Sequence, residues 1–206
     1  MRNLGTYFDQ SLLLNDHVNR LVRFCFYQLR HIKSVRRVLP TSAAIQLVHS
    51  FVVSRVDYCN SILSGALAVL TDRIQSVLNA AARLIYDRYD HVTDILQDRL
   101  QWLRVPQRIA FKSALIAYKA QHDLVPPYIA RSCVLLSSLG NHYALRSATR
   151  NLMTVTRTKT KFGERSFTVA GPSTWNALPD SVKTAASIET FNSKLKTLLF
   201  PLSFDI

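Results

Sequence analysis

Apolar residues return along this chain at steps of three and four, and a helix is the element that gathers such a series onto one side. Val18, Leu21, Cys25, Leu29, Ile32 and Val35 put one stripe on a helix from about Asp16 to Val38, which Pro40 ends. Thr41 or Ser42 then offers a cap for a second helix, buried through Ile45, Val48, Phe51 and Val52. A third stripe, Leu67, Leu70, Ile74, Val77, Ala81 and Leu84, has the spacing of a helix lying lengthwise on its neighbours, and Ala80 to Ala82 would let another helix come close. Val92 to Leu100 reads as a short helix. Pro106 suits the first position of a helix running to about His122, apolar on several sides and so central to a bundle. One more short helix follows Pro126-Pro127, and a last one begins near Ser187 and buries Phe191, Leu195, Leu198 and Leu199. Five glycines and seven prolines in 206 residues leave few turn signals, so the expected fold is mainly α, a helical bundle.

Two segments depart from that pattern. Leu4 to Asp9 looks like a short N-terminal strand followed by a turn, with no strand partner evident in the chain. Residues 137 to 166 are rich in Ser, Thr and Arg, and Leu152, Thr154, Thr156 and Thr158 alternate with Met153, Val155, Arg157 and Lys159 as in an extended segment.

Lys and Arg number 26 against 13 Asp and Glu, a formal net charge of +13. That excess favours a polyanion, and the expected partner is RNA or DNA held electrostatically and without sequence preference. The charge is spread along the chain and not set beside an apolar anchor, so no membrane partner is expected. No run reaches the ~18 apolar residues of a membrane span. The first residues, Met1 to Gly5, lack an apolar signal core. The expectation is an intracellular protein, nuclear or cytoplasmic and not secreted. Cys25, Cys59 and Cys133 form no Cys-x-x-Cys pair and read as buried free thiols. His17, His31, His49, His91, His122 and His142 show no metal spacing, and no Gly-x-Ser-x-Gly element is present. No metal site and no cofactor is expected.

Short motifs occur in order over most of the chain: Leu4-Gly5 with Phe8-Asp9, Asp57-Tyr58-Cys59-Asn60, Asn79-Ala80-Ala81-Ala82-Arg83, Trp102-Leu103, Leu145-Arg146-Ser147 and Trp175-Asn176-Ala177-Leu178-Pro179. Together they resemble the C-terminal third of the reverse transcriptase polyprotein of LINE-type (non-LTR) retrotransposons, the part after the polymerase palm. The resemblance implies three parts: 1–12 as a remnant of the palm, with Leu4 to Asp9 its last strand, 13–140 as a helical, thumb-like domain, and 141–206 as a basic, irregular C-terminal extension that ends in a helix. It also implies that the catalytic motif lies upstream. Nucleotidyl transfer needs carboxylates holding two Mg²⁺ ions, and this chain has no Asp-Asp pair. The expectation is a non-catalytic fragment of an RNA-directed DNA polymerase with no catalytic residue. Its other expected partners are the missing palm and fingers, or a second copy of itself. Gln101 and Arg104 stand where relatives often show His and Pro, and Leu78 where Gln is frequent; none of these removes an essential chemistry.

Within that frame a thumb holds template and primer through their backbones. Arg23, Arg30 and Arg37 lie seven residues apart on the face opposite the first apolar stripe, with Arg20 and Lys33 flanking them. A row spaced ~10 Å per two turns can follow phosphates without reading bases; a solvated helix face is the other reading. A second cluster, Arg146, Arg150, Arg157, Lys159, Lys161 and Arg165, stands near Phe162, Phe167 and Trp175. Cations interleaved with aromatics suit a single strand; the other reading is a charged loop whose rings return to the core. Trp175 reads as buried at a helix end with Asn176 tying down backbone, Asp57 to Asn60 as polar groups satisfying backbone at a turn, and Arg83 as buried with a carboxylate partner.

The segment from Leu4 to Leu39 also resembles a stretch found with an AlkB-type oxygenase and tRNA methyltransferase family. Such an enzyme needs His-x-Asp with a distant His for Fe(II), and a glycine-rich loop for S-adenosylmethionine. Neither is present. A domesticated protein-interaction module with no nucleic-acid role is the remaining alternative.

Overall fold

The computed structural model of the chain describes residues 2–87, 91–139 and 151–204. It is mainly helical, with one two-stranded sheet among the described residues. The chain divides into two compact units, one comprising 1–60 with 66–108 and the other 61–65 with 109–206. This division differs from the three segments read from the sequence: the N-terminal hairpin joins the helices that follow it, and the stretch around 140 lies outside the described residues.

In the first unit, strands β1 (Arg2–Asn3) and β2 (Thr6–Tyr7) pair antiparallel, Arg2 with Tyr7 and Asn3 with Thr6. The strand therefore has its partner within its own segment, which corrects the sequence expectation. Leu4 and Gly5 form the two-residue turn with φ of 43° and 83°, the doubly left-handed geometry that matches strand twist in a hairpin. Helix α1 spans Asn15–Val35 and passes into a 3₁₀ turn, Arg36–Val38, before extended Leu39. Asp9 starts this helix: its carboxylate accepts from the Leu14 N–H at 3.3 Å and the Asn15 N–H at 2.9 Å. Val18, Cys25, Leu29 and Ile32 are buried as the stripe requires, whereas Val35 is exposed.

Helices α2 (Thr41–Val48) and α3 (Ser54–Asp57) are joined without a break by a π turn, His49–Val53. Neither Thr41 nor Ser42 caps α2; Pro40 holds that position in extended geometry. The wider π turn rotates the face downstream, so Val52, Val53 and Val56 are buried and Phe51 is exposed. Helix α4 (Ala68–Tyr86) buries Leu70, Ile74, Val77, Leu78, Ala81, Ala82 and Ile85, while Leu67 stands outside it as an exposed capping residue. Its alanines allow the lengthwise packing of α1 against α4. Helix α5 (Val92–Asp94) widens into a second π turn, Ile95–Arg99.

Helix α6 (Val105–Gln121) carries the chain on into the second unit. There follow α7 (Pro127–Ala130), α8 (Lys161–Glu164), α9 (Phe167–Asn176), α10 (Asp180–Lys183) and α11 (Ile188–Phe204). The Tyr118 ring stacks on Phe191 at 4.2 Å, Trp175 lies 6.2 Å from Phe191, and the Tyr118 hydroxyl donates to the Ala185 carbonyl at 3.0 Å. These contacts tie α6, α9 and α11 around one aromatic core. The alternation over 152–159 produces one antiparallel bridge, Leu135 with Met153, in place of a longer strand. The Asn176 side chain takes up the next bonds, accepting from the Met153 N–H and donating to its carbonyl, both at 2.8 Å. Lys183, almost fully buried, donates to the Asn176 carbonyl at 3.3 Å, a cation at the C-terminal end of α9.

Asp9→Ala removes the acceptor for two amides at the start of α1. It is expected to lower stability by about 1 kcal/mol, and native-state hydrogen exchange should speed up at Leu14 and Asn15 while the second unit is unaffected.

Candidate nucleic-acid interface

The C-terminal halves of α1 and α4 form the walls of a cleft of about 600 Å³. Arg30, Lys33, Arg36 and Arg37 line it from α1 and the turn that follows, Arg83 from α4, and Asp87 at its end is the one acidic lining residue. Arg36 is committed to structure. Its Nε donates to the Leu84 carbonyl at 3.0 Å, Nη2 to Ile85 at 2.6 Å and Nη1 to Leu39 at 2.9 Å. The first two are carbonyls of the last turn of α4, where Asp87 closes the helix at φ 49°. A guanidinium there satisfies orphan acceptors and offsets the negative end of the helix dipole. The carbonyls that would repel an anion in this cleft are thereby covered.

Arg30, Lys33, Arg37 and Arg83 are all exposed, and among the described residues none pairs with a carboxylate. Sequence reasoning placed Arg83 in the interior with an acidic partner. It instead stands on the solvent side of α4 beside the α1 cations, because the buried arc of α4 is filled by Ala82 and Ile85. Helical spacing from Asn79 could not reveal this, since the neighbours that matter lie on another helix.

The row of cations expected along α1 is divided. Arg30, Lys33 and Arg37 face the α1–α4 cleft, whereas Arg20 and Arg23 line a separate cleft near the N-terminal hairpin. The Arg20 guanidinium lies 4.5 Å from the centre of the Tyr7 ring. In the second unit Arg157, Lys159 and Lys161 are exposed, and half-buried Arg165 lies 5.7 Å from the Phe162 ring. Thr160 starts α8 by accepting from the Gly163 N–H at 3.1 Å, which fixes Phe162 in an exposed position. Phe167 is half-buried. Trp175 is core, as its sequence context indicated, with its indole N–H donating to the Asn151 carbonyl at 2.7 Å. Arg146, Arg150 and the Leu145-Arg146-Ser147 motif lie outside the described residues.

The remaining motifs serve as joints. Asp57 accepts two hydrogen bonds from Arg108 Nη1, at 3.0 and 2.8 Å, and so meets a guanidinium and not the turn backbone expected for it. Arg108 also donates to the Leu103 carbonyl at 2.8 Å and lies 5.7 Å from the Trp102 ring. The Tyr58 hydroxyl donates to the Leu4 carbonyl at 2.9 Å. Asn79 accepts from Gln75, whose own amide oxygen accepts from the Val105 N–H at 3.0 Å.

Burial pushes the Cys25 thiol up to about 12 and the Cys133 thiol up to about 11, so both stay protonated at neutral pH. Cys59 is only half-buried, which corrects the expectation of three buried thiols. Among the described residues no group of three or more His, Cys, Asp or Glu side chains is arranged to hold a metal ion. No helix there is long and apolar enough to cross a membrane. No protein-family model, curated protein or solved structure matches the chain.

The two kinds of arginine in the cleft are separable by substitution. Arg36→Gln is expected to cost about 1–2 kcal/mol, since it removes charge-assisted hydrogen bonds to helix-end carbonyls, whereas Arg83→Gln should change stability by less than about 0.5 kcal/mol. Urea unfolding of both variants measures the contrast.

Proposed function

We propose that this chain is a non-catalytic fragment of a LINE-type reverse transcriptase that holds RNA or DNA duplexes by their phosphate backbones, without reading sequence. The observation that carries the reading is the α1–α4 cleft. Four exposed cations, Arg30, Lys33, Arg37 and Arg83, border it without carboxylate partners, and the nearby helix-end carbonyls are covered by Arg36. The two packed helices set the spacing of the backbone positions that carry these cations, and their exposed side chains order on the phosphates they meet. Cations carried along two helices can follow a backbone from phosphate to phosphate, and Asp87 is the one acidic residue that lines the cleft with them. The motif resemblance supplies the family; the thumb of such a polymerase does this work. Arg157, Lys159 and Lys161, with Phe162 and Arg165, form a second surface suited to a single strand.

Each phosphate engaged by a cation releases condensed counterions, so affinity for duplex should fall steeply with salt. Changing Arg30, Arg37 and Arg83 together to Gln is expected to flatten the log-log dependence by about 2–3 units, at ~0.9 for every phosphate no longer neutralised. Circular dichroism should show the fold retained. An unchanged slope in a folded triple variant would pass the lead to the protein-interaction reading. On the same proposal, the purified chain will not extend a primer with Mg²⁺ or Mn²⁺; template-dependent incorporation would contradict it.

A further inference from the structure

A second cleft of about 600 Å³ lies among the β1–β2 hairpin, the first turns of α1 and helix α3. It shares no lining residue with the α1–α4 cleft. The Leu4-Gly5 turn forms one rim, latched by the Tyr58 hydroxyl. Gly5 suits this turn because its φ is 83°, a conformation that side-chain-bearing residues rarely adopt.

Four guanidiniums line this cleft, Arg2, Arg20, Arg23 and Arg55, against one carboxylate, Asp16. None of the four pairs with a carboxylate among the described residues. Three rest on rings: Arg20 and Arg2 lie 4.5 and 5.6 Å from the centre of Tyr7, and Arg55 lies 5.0 Å from that of Phe24. Such contacts hold a cation in place without neutralising it, and they are weak enough at an exposed site to give way to bidentate hydrogen bonds with phosphate. His17 completes the cleft. It is 8% exposed and has no hydrogen-bond partner among the described residues, and its ring nitrogens are not among the buried unpartnered atoms there, so they stay open to the cleft.

We propose that this cleft binds a nucleoside monophosphate unit, free or as the 5′-phosphorylated end of a strand. Arg20 and Arg55 take the phosphate, His17 donates to it, and the ring faces of Tyr7 and Phe24 that the arginines vacate stack on the base. A phosphomonoester suits the site because its charge meets several guanidiniums at once, and a cleft of this volume has room for about one nucleotide. The inference does not rest on duplex binding, since its residues and its ligand are different.

Burial holds the His17 imidazole below its ordinary pKa. The titratable and charged groups that line the cleft with it are Arg2 and Tyr7 from the hairpin, Asp16, Arg20 and Arg23 from α1, Arg55 from α3 and Tyr58 just after it; a dianion bound among them would raise the imidazole pKa. The test titrates the full chain with adenosine monophosphate, adenosine and inorganic phosphate by calorimetry, and follows His17 by NMR with and without the nucleotide. Expected are binding of adenosine monophosphate at least tenfold tighter than either part, a His17 titration displaced to higher pH in the complex, and a loss of tenfold or more in the Arg20→Gln, Arg55→Gln double variant. Equal binding of inorganic phosphate and the nucleotide would overturn the stacking role of the rings and with it the site. A His17 titration unmoved by ligand in the native protein would also overturn it, whatever the double variant does. A 5′-phosphorylated oligonucleotide that binds as tightly as the nucleotide, with its 5′-hydroxyl counterpart tenfold weaker, supports the site and names a strand end as the source; tight binding of the nucleotide alone supports it with a free nucleotide as the source.

Discussion

The packing of α1 along α4 is the constraint from which the first unit takes its form. It depends on small side chains: Ala81 and Ala82 are fully buried on α4 and Cys25 is fully buried on α1. Replacing an alanine there with a larger residue would force the helices apart, because a filled core tolerates added methylenes poorly. Close approach brings the C-terminal ends of both helices together, and Arg36 joins them by bonding to the carbonyls of Leu84 and Ile85. The same approach sets Arg83 beside Arg30, Lys33 and Arg37. One packing event therefore supplies both the stability and the charged cleft.

Residues that stand far apart in sequence meet at a few joints. Asp57 meets Arg108 and, through it, Leu103 and Trp102. Tyr58 meets the Leu4 carbonyl, and Asn176 meets both backbone groups of Met153. Side chains of this kind end helices, latch turns and satisfy backbone that would otherwise be orphaned. The short motifs at 4–9, 57–60, 102–103 and 175–179 are in this molecule mostly such joints, and the exposed cations proposed to meet phosphate lie largely outside them.

Periodicity made the long helices legible, because a stripe such as Val18, Cys25, Leu29 and Ile32 depends on neighbours within the same helix. It was less informative across the π turn at His49–Val53, where one extra residue per turn rotates the face and exchanges Phe51 for Val53 and Val56. The hairpin was missed because Arg2 and Asn3 carry no strand signal of their own; the turn geometry at Leu4-Gly5 creates it. Arg36 and Arg83 were opaque for a different reason. Whether an arginine caps a helix, pairs with an acid or faces solvent is decided by a helix nearly fifty residues away, and no local pattern reports that.

The central claim is that exposed cations carried side by side on two packed helices hold a nucleic-acid backbone. Arginine side-chain NMR tests it most directly, by following the Nε–Hε resonances of the full chain as a short duplex of mixed sequence is added. The account predicts that Arg30, Arg37 and Arg83 shift together while Arg36, already bonded to Leu84 and Ile85, keeps its free-protein position. Shifts that spare these three, or a duplex that binds while only arginines outside the cleft respond, would contradict it.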